Sequence, residues 1–446
     1  MDSRFIETDR DSTWLMPPSM REWLPERHLA KFIVDAVDNL DLSSIESQYD
    51  NRGKQAYAPA MMLSLLFYGY AMGVFSSRKL EEATHDSVAF RYITAQHHPD
   101  HDTIANFRKR FLNELEGLFL QILMLARTAG FLKMGRVSLD GSKMNANASK
   151  HKALSWEYAL RLEKQLKEEI GQLMAMAKAA DQEGDDALDV PAEIEDREKR
   201  LQVIRTGLAE MKERAAAQAR AEEDRRKESQ AKKGDDTASA RCERKPAPEP
   251  RAKDQVNLTD PESRIMKTKN GFEQAYNAQA TVDNDSHLIV TTGVTDAGND
   301  KRQMEPALEQ LEERSEVLGK PAEILADAGY FSANNIDLCE RHGITPYIAL
   351  GREAHNQPLA KRLEKPPGCP PNADSVTRAR HRMKTPEGKA IYAKRKGTVE
   401  TVFGVIKENL GFRRFHLRGL AAANGEWTLV SLAWNLKRLH TLFQGV

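Results

Sequence analysis

Cysteine is scarce in this sequence. The 446 residues include three cysteines, Cys242, Cys339 and Cys369, and no two of them form a C-x-x-C pair. A zinc site built on cysteines and a disulfide framework both need suitably spaced cysteines, so neither is suggested here. The scarcity agrees with a protein of a reducing cytoplasm.

An excess of positive charge is also missing from the chain as a whole. Lys plus Arg number 66 and Asp plus Glu number 66, so there is no global basic signature of a nucleic-acid-binding protein. The charge is nevertheless unevenly distributed. Residues 378–418 contain twelve Arg or Lys residues against three Glu, and a surplus of this size favours binding to polyphosphate through counterion release.

Long uncharged runs are rare as well. Residues 57–75 lack charge over a length that could span a membrane, but they include Pro59, Gly69 and Gly73. Because a helix that is apolar on all sides can also be the centre of a helical domain, we predict a buried helix rather than a membrane span. The charged start of the chain lacks the apolar region of a signal peptide, which favours a cytoplasmic protein.

The pattern is helical from Trp14 to about Gly130, within a predicted N-terminal domain of residues 1–132. In one stretch Asp102 or Thr103 is placed to cap a helix that turns Ile104 and Phe107 inward and the basic run 108–110 outward. Several short helices with a basic face are compatible with a helix-turn-helix-like DNA-binding domain. The alternative is that the charged face is simply solvated.

A helical insertion is predicted at about residues 153–255. Two apolar seams at helical spacing, in residues 154–180 and 194–215, are joined by an acidic stretch that contains Gly and Pro. This arrangement predicts an antiparallel helical hairpin or short coiled coil. Residues 214–254 are then dominated by charged residues, Ala, Ser and Pro, and we predict that they are mobile.

The rest of the chain, residues 133–446, alternates strands and helices around this insertion. The sequence predicts a strand that ends at Asp140, a hairpin of residues 275–282 and 288–294, a helix over 299–318, a strand that ends at Asp327, and a further strand over 344–350. The pattern predicts a mixed α/β domain. For Asp140-Gly141 alone, a simple hairpin turn is the alternative.

Three acidic residues stand at distinctive places in this pattern. Asp140 and Asp327 each end a predicted strand, and Glu400 lies on a helix within the basic segment. Two hard cations about 3.5 to 4 Å apart need oxygen ligands from several carboxylates, so the three acids are candidates for a metal site. Each also has a simpler interpretation: Asp327 as a helix cap, and Glu400 as a surface partner of Lys396.

The segments around these acids resemble the DDE insertion-sequence transposases. The resemblance rests on LDGSKMNANASK around Asp140, ILADAGYFS around Asp327 and YAKRKGTVETVFGVIKENLGFRRF at residues 392–415. In the family's Tyr, Arg, Glu, Lys signature the Lys follows the Glu by seven residues, as Lys407 follows Glu400. The basic member is open, because Arg395 lies five residues before Glu400 and Lys396 lies four before it.

This resemblance implies a fold and a function. The fold is an RNase H-like mixed sheet flanked by helices (residues 133–446), preceded by a helical DNA-binding domain (residues 1–132). The implied activity is metal-dependent cleavage of transposon-end DNA and strand transfer into target DNA, with two Mg²⁺ or Mn²⁺ ions. The implied partner is double-stranded DNA, bound by a homodimer or larger assembly at the nucleoid of a bacterial-type cytoplasm.

The resemblance also assigns roles to residues. Asp140, Asp327 and Glu400 would be catalytic and would hold the metal ions. The candidate DNA contacts are Lys143, Asn145, Tyr330, Arg395, Lys396, Lys407, Arg413 and Arg414. Tyr330 would stack on a base. Two other functions stay open: a DNA-binding protein of transposase origin without catalysis, and an RNase H-like nuclease that acts on a different nucleic acid.

Overall fold

The computed structural model describes residues 19–49, 56–183, 190–231, 249–269, 271–351 and 368–445. Eight helices form its N-terminal part: α1 Met20–Trp23, α2 Leu29–Asp38, α3 Ser43–Glu46, α4 Pro59–Ala71, α5 Ser77–Asp86, α6 Val88–Ile93, α7 His101–Arg110 and α8 Leu115–Thr128. The predicted helical N-terminal region is therefore confirmed. The N-cap of α7 is Asp100, whose carboxylate accepts the N–H of Thr103, so the cap lies a little earlier than predicted.

Strands and helices alternate after α8. They are β1 Arg136–Asn145, β2 Ala153–Ser155, α9 Trp156–Glu183, α10 Val190–Ala231, β3 Gln255–Asn257, β4 Arg264–Thr268, β5 Gly271–Asp283, β6 Ile289–Thr295, α11 Met304–Glu313, α12 Ser315–Leu318, β7 Glu323–Ala326, α13 Ala333–Arg341, β8 Thr345–Ile348, α14 Ser375–Lys384, α15 Pro386–Ala393, α16 Val399–Gly404 and α17 Leu420–Gln444. A π-helical turn, Val405–Asn409, extends α16.

One mixed sheet carries the candidate site. Its strands are ordered β4, β5, β1, β7, β8, with β6 also paired to β5. β5 is antiparallel to β1, β4 and β6, whereas β7 is parallel to both β1 and β8. Helices flank this sheet, and the predicted RNase H-like fold class is confirmed.

The apolar helix α4 is a buried helix, as predicted. It packs against α2 and α17, and Leu63, Leu65, Leu66 and Phe67 are fully or almost fully buried. Its uniform apolarity follows from this position between neighbours on all sides. Within the described ranges, no helix has the length and hydropathy needed to cross a membrane.

Strand β1 differs from the prediction at Asp140. We expected the strand to end there, but β1 continues to Asn145 because the long partner β5 pairs with it from Val137 to Asn145. Asp140-Gly141 is therefore inside a strand, and the alternative of a hairpin turn is wrong. Long-range pairing overrides the local turn signal of Asp-Gly.

Two other helices and the orientation of one side chain differ from the sequence prediction. Helix α11 begins at Met304 rather than near residue 299, because residues 299–303 form a turn whose Asp300 bonds to β5. Helix α10 extends to Ala231, into the segment predicted to be mobile, since its Ala, Glu and Arg residues favour a helix. Arg108 was expected to face outward, but it is buried and donates to Tyr70 Oη and the Phe75 carbonyl.

The remaining parts of those predictions lie outside the described residues. They are 232–248 of the segment predicted to be mobile, 184–189 of the acidic connection between the two seams, and Cys242.

The described residues form two hydrophobic cores. The larger is continuous from α2 through the N-terminal helices, the sheet and α17. The smaller lies between α9 and α10, whose seams confirm the predicted helical hairpin. The short pair β2–β3 is at the base of this hairpin.

Candidate functional site

The sheet brings two of the predicted acids together. Parallel pairing of β1 with β7 ends at Leu139 opposite Ala326, and the next residue on each chain segment is an aspartate, Asp140 or Asp327. Asp140 Oδ1 accepts the N–H of Gly141 at 2.9 Å, and Asp327 Oδ1 accepts the N–H of Gly329 at 2.8 Å. The two carboxylates are therefore neighbours by register, with defined orientations.

Glu400 is placed by α16, which packs on β1 and β5. Val399, Val402 and Phe403 are buried as the helical spacing predicted, and the Phe403 ring stacks on Trp427 at 5.7 Å between centroids. Glu400 is on the opposite, more exposed side of this short helix. Packing of the apolar face thus fixes which way the carboxylate points.

Arg395 joins Glu400 to Asp140. Its Nη2 is 2.8 Å from Asp140 Oδ2 and its Nη1 is 2.9 Å from Glu400 Oε1. The Arg395 side chain is 7% exposed, whereas Lys396 is exposed to solvent. Arg395 is therefore the basic residue at the carboxylates, and in this conformation it contacts acids rather than the surface that DNA would meet.

Burial shapes the ionisation of Asp140. Removal from water raises its pKa to about 6, the ion pair with Arg395 opposes that rise, and the nearby charge of Asp327 adds to it. A carboxylate held in such a place gains from any added positive charge. The site thus favours a cation.

The donor set fits a hard divalent cation. Carboxylate oxygens are the ligands that Mg²⁺ and Mn²⁺ prefer, and the Arg395 guanidinium is a stand-in positive charge between Asp140 and Glu400. Among the described residues no three acidic, His or Cys side chains are already disposed to hold one ion. Glu400 is held to Asp140 through Arg395, so cation binding by all three acids requires Arg395 to move.

A cavity of about 540 Å³ opens beside Asp140 and Glu400. Its basic lining residues are Lys143, Lys267, Lys269, Lys407 and Arg413. The sequence prediction included Lys143, Lys407 and Arg413 but missed Lys267 and Lys269. These two lie at alternate positions of the KTK stretch at the end of β4, a signal that has meaning only once β4 is known to border the site.

Lys407 is a partly buried cation of this cavity. Its Nζ donates to Ser142 Oγ at 2.5 Å and to the Lys143 carbonyl at 2.8 Å. Burial lowers the pKa of Lys407 to about 8, and the positive charge of Lys269 acts in the same direction. Lys407 is therefore fixed against β1, and the residue that it contacts there, Ser142, lies two positions after Asp140.

The other predicted DNA contacts differ in accessibility. Asn145 lines the cavity, and its backbone N–H donates to the Arg413 carbonyl at 3.0 Å. Arg414 is exposed next to it. Tyr330, however, is fully buried and its hydroxyl donates to Gln279 Oε1, so this placement does not support the prediction that its ring stacks on a base.

Sequence reasoning missed one further acid at the site. Asp300 accepts hydrogen bonds from Asn277 and Gln279 of β5, and its carboxylate faces Lys143. We expected residue 300 in a helix, where it would have been a surface acid. No local pattern signals its position, because the turn that holds it depends on pairing across the sheet.

Comparison with known families agrees with this geometry. Residues 235–436 match the model of the transposase DDE domain, and residues 18–110 match that of a transposase domain, DUF772. No curated protein and no solved structure matches the chain. The DDE match includes Asp327 and Glu400 and begins after Asp140. The two matched ranges span well over half of the sequence, and the chain belongs to the DDE transposases of insertion sequences, proteins of DNA transposition.

Proposed function

We propose that this protein cleaves DNA at transposon ends and transfers the cut strand into target DNA by metal-dependent phosphoryl transfer. One observation carries the proposal: Asp140 and Asp327 follow paired positions of two parallel strands, and Arg395 links Asp140 to Glu400. This arrangement supports the catalytic triad that the sequence predicted.

Asp140, Asp327 and Glu400 would hold the cations. When bound, these ions would activate a water or a 3′-hydroxyl and stabilise the leaving oxygen. The chain's own contribution is to fix the acids: register positions Asp140 beside Asp327, and the apolar face of α16 positions Glu400. The reaction needs no protein nucleophile, so it needs no covalent enzyme intermediate.

Lys407 and its basic neighbours would bind the DNA backbone. The cavity they line adjoins Asp140 and Glu400, so a phosphate held there lies next to the reacting position. Lys407 is oriented by Ser142 and the Lys143 carbonyl and keeps one face toward the cavity. Arg413 and Arg414 would extend this contact along the strand that leaves the site.

Arg395 would change partners during loading. Its guanidinium pairs with both Asp140 and Glu400 and offsets part of their combined negative charge. If these carboxylates held a cation, the guanidinium would be released, and a phosphate is the partner that its fork-shaped donors would then match. These contacts support Arg395, rather than Lys396, at the basic position of the signature.

The two parts of the chain would have different roles. Residues 133–446 would perform the chemistry, and the N-terminal helices would contribute to DNA binding. Lys109 and Arg110 of α7 are exposed, whereas Arg108 is buried. The Arg110 guanidinium already donates to the Gln48 carbonyl, so Lys109 is the freer of the two for such a contact. The protein would act as a homodimer or larger assembly on DNA.

Cleavage of a labelled terminal-repeat duplex with Mg²⁺ or Mn²⁺ tests this function. We expect the full chain to cut the duplex and join it to target DNA, and Asp327→Asn to lose both activities while it still binds the duplex. Asp296→Asn is the matched control, because Asp296 pairs with Arg264 at 2.7 Å outside the site.

The other outcomes identify the alternatives. Cleavage without joined products would indicate an RNase H-like nuclease. Binding of the duplex without cleavage by the wild-type protein would indicate a DNA-binding protein without catalysis. Retained cleavage by Asp327→Asn would show that the assigned triad is wrong.

A further inference from the structure

Asp300 occupies the turn between β6 and α11, next to the candidate metal site. Its Oδ1 accepts hydrogen bonds from Asn277 Nδ2 at 2.7 Å and from Gln279 Nε2 at 2.9 Å. Its Oδ2 is 3.6 Å from Lys143 Nζ, and the side chain is 16% exposed. An acid with three such partners is held in place and is not a freely solvated surface group.

The partners of Asp300 belong to the strands that carry the site. In the β1–β5 register Gln279 is opposite Gly141, and Asn277 is opposite Lys143. Because residue 141, next to Asp140, is a glycine, it places no side chain on this face of the sheet. The Asp300 carboxylate lies in the space that such a side chain would fill. A Cβ atom at Gly141 would lie 2.4 Å from Asp300 Oδ1 and 2.2 Å from Gln279 Nε2, so only glycine leaves room for this contact.

A second glycine shows that Asp300 also approaches Asp327. A Cβ atom at Gly329 would lie 2.9 Å from Asp327 Oδ1 and 3.6 Å from Asp300 Oδ2. The two carboxylates therefore border the same small volume. The charge of Asp300 also contributes to the raised pKa of Asp140, after burial and Asp327.

We propose that Asp300 is a fourth carboxylate of the metal site, held in place by Asn277, Gln279 and Lys143, and that its charge strengthens cation binding by Asp140 and Asp327. The inference rests on the proposed function, since it assigns a role toward the same cations. Two properties carry it: the carboxylate is only 16% exposed beside the two aspartates, and among the described residues the Lys143 ammonium is the one cation within ion-pair distance of it.

A purely structural role makes a different prediction from an electrostatic one. If Asp300 merely anchors the turn, then removal of its charge and removal of Lys143 should both disturb the site and weaken cation binding. If its charge acts on the cation, the two changes should have opposite signs, because Lys143 offsets part of that charge.

Calorimetric titration of the full chain with Mn²⁺, without DNA, separates these roles. We expect Asp300→Asn to weaken Mn²⁺ binding about tenfold, the effect of one unit charge on a divalent ion across roughly 6 Å of water-like dielectric. We expect Lys143→Met to tighten binding severalfold and the double variant to bind with intermediate affinity. Asp296→Asn on the same turn-rich segment is the control and should bind as the wild type does.

The Mn²⁺ affinities of these variants distinguish an electrostatic role of Asp300 from a structural one. Wild-type affinity in Asp300→Asn overturns the role of Asp300, and the proposed function still stands if Asp327→Asn abolishes Mn²⁺ binding. Weaker binding in both Asp300→Asn and Lys143→Met also overturns it in favour of a structural role. Absence of Mn²⁺ binding in the wild type overturns the metal site itself. If Asp300→Asn fails to fold, as judged by circular dichroism, the Lys143→Met variant provides the test by itself. Mn²⁺ binding that is no tighter in Lys143→Met than in the wild type would then refute the inference.

Discussion

The N-terminal helices and the α9–α10 hairpin are both helical additions to the sheet, but they are attached in different ways. The N-terminal helices share one continuous core with the sheet and α17. The hairpin has a separate core and is joined at its base by β2 and β3. The N-terminal helices and the sheet therefore form one cooperative unit, whereas the hairpin is stable largely through its own seam.

A buried polar network reinforces the first attachment. Glu426 of α17 is fully buried and accepts hydrogen bonds from Tyr70 Oη at 3.2 Å and from the N–H groups of His416 and Leu417. Arg108 of α7 donates in turn to Tyr70 Oη at 2.8 Å. This network spans α4, α7 and α17, so the N-terminal helices cannot separate from the sheet without exposing paired charges.

The largest effect is expected where this network is broken. Glu426→Ala removes the carboxylate that balances Arg108 and leaves the Tyr70 hydroxyl and two backbone N–H groups without their acceptor, which should cost about 3 kcal/mol of unfolding free energy. Urea denaturation followed by tryptophan fluorescence measures it.

The hairpin supplies the control for that measurement. Glu169→Ala removes the ion pair between Glu169 and Arg197 on the hairpin surface, and we expect no change in the urea midpoint of the sheet. An equal loss in the two variants would contradict the difference between the attachments.

A smaller and local effect is expected from the seam of the hairpin. Ile204→Ala removes a side chain that is 1% exposed between α9 and α10, and it should lower the local stability of the hairpin by about 2 to 4 kcal/mol. Because the hairpin core is separate, amide exchange should accelerate in α9 and α10 and stay unchanged in β1 and β7. Leu123→Ala, in the shared core, should instead accelerate exchange in the sheet as well.

The smallest effect concerns charge. Lys407→Met should weaken binding of a short DNA duplex about fivefold at pH 7, roughly 1 kcal/mol, while Lys167→Met on the hairpin should leave it unchanged. Lys407 is protonated below its lowered pKa of about 8 and neutral above it, so the wild-type advantage should shrink as pH rises through 8. Fluorescence anisotropy at fixed salt measures the DNA affinity of the wild type and of each variant at each pH. A difference in affinity between the wild type and Lys407→Met that is constant from pH 7 to pH 9 would exclude this role for Lys407.

The features that the sequence predicted correctly have local signals. The β5–β6 hairpin has its turn at Asp283 to Ser286, where the Asp283 carboxylate accepts from Ser286, and the strand EILAD has a run of buried residues before its Asp. Helix α16 has apolar residues at three- and four-residue spacing. Such signals require only neighbours along the chain.

The features that it missed depend on contacts between distant segments. The continuation of β1 past Asp140 is set by β5, more than 130 residues later, and the turn that holds Asp300 is set by its bonds to the same strand. The function of Arg395 as a link between Asp140 and Glu400 needs their three-dimensional positions. Spacing in sequence alone left Arg395 and Lys396 as equal candidates.

The Arg395 bridge has a consequence for the order of assembly. A pocket of like charges would normally repel its own members until an ion arrived, and many small metalloproteins depend on their metal to fold for this reason. Here a side chain of the same polypeptide supplies the missing counter-charge to Asp140 and Glu400. The architecture can therefore be complete without a cation, and under the proposed function a cation would later replace Arg395 as the positive partner of these acids.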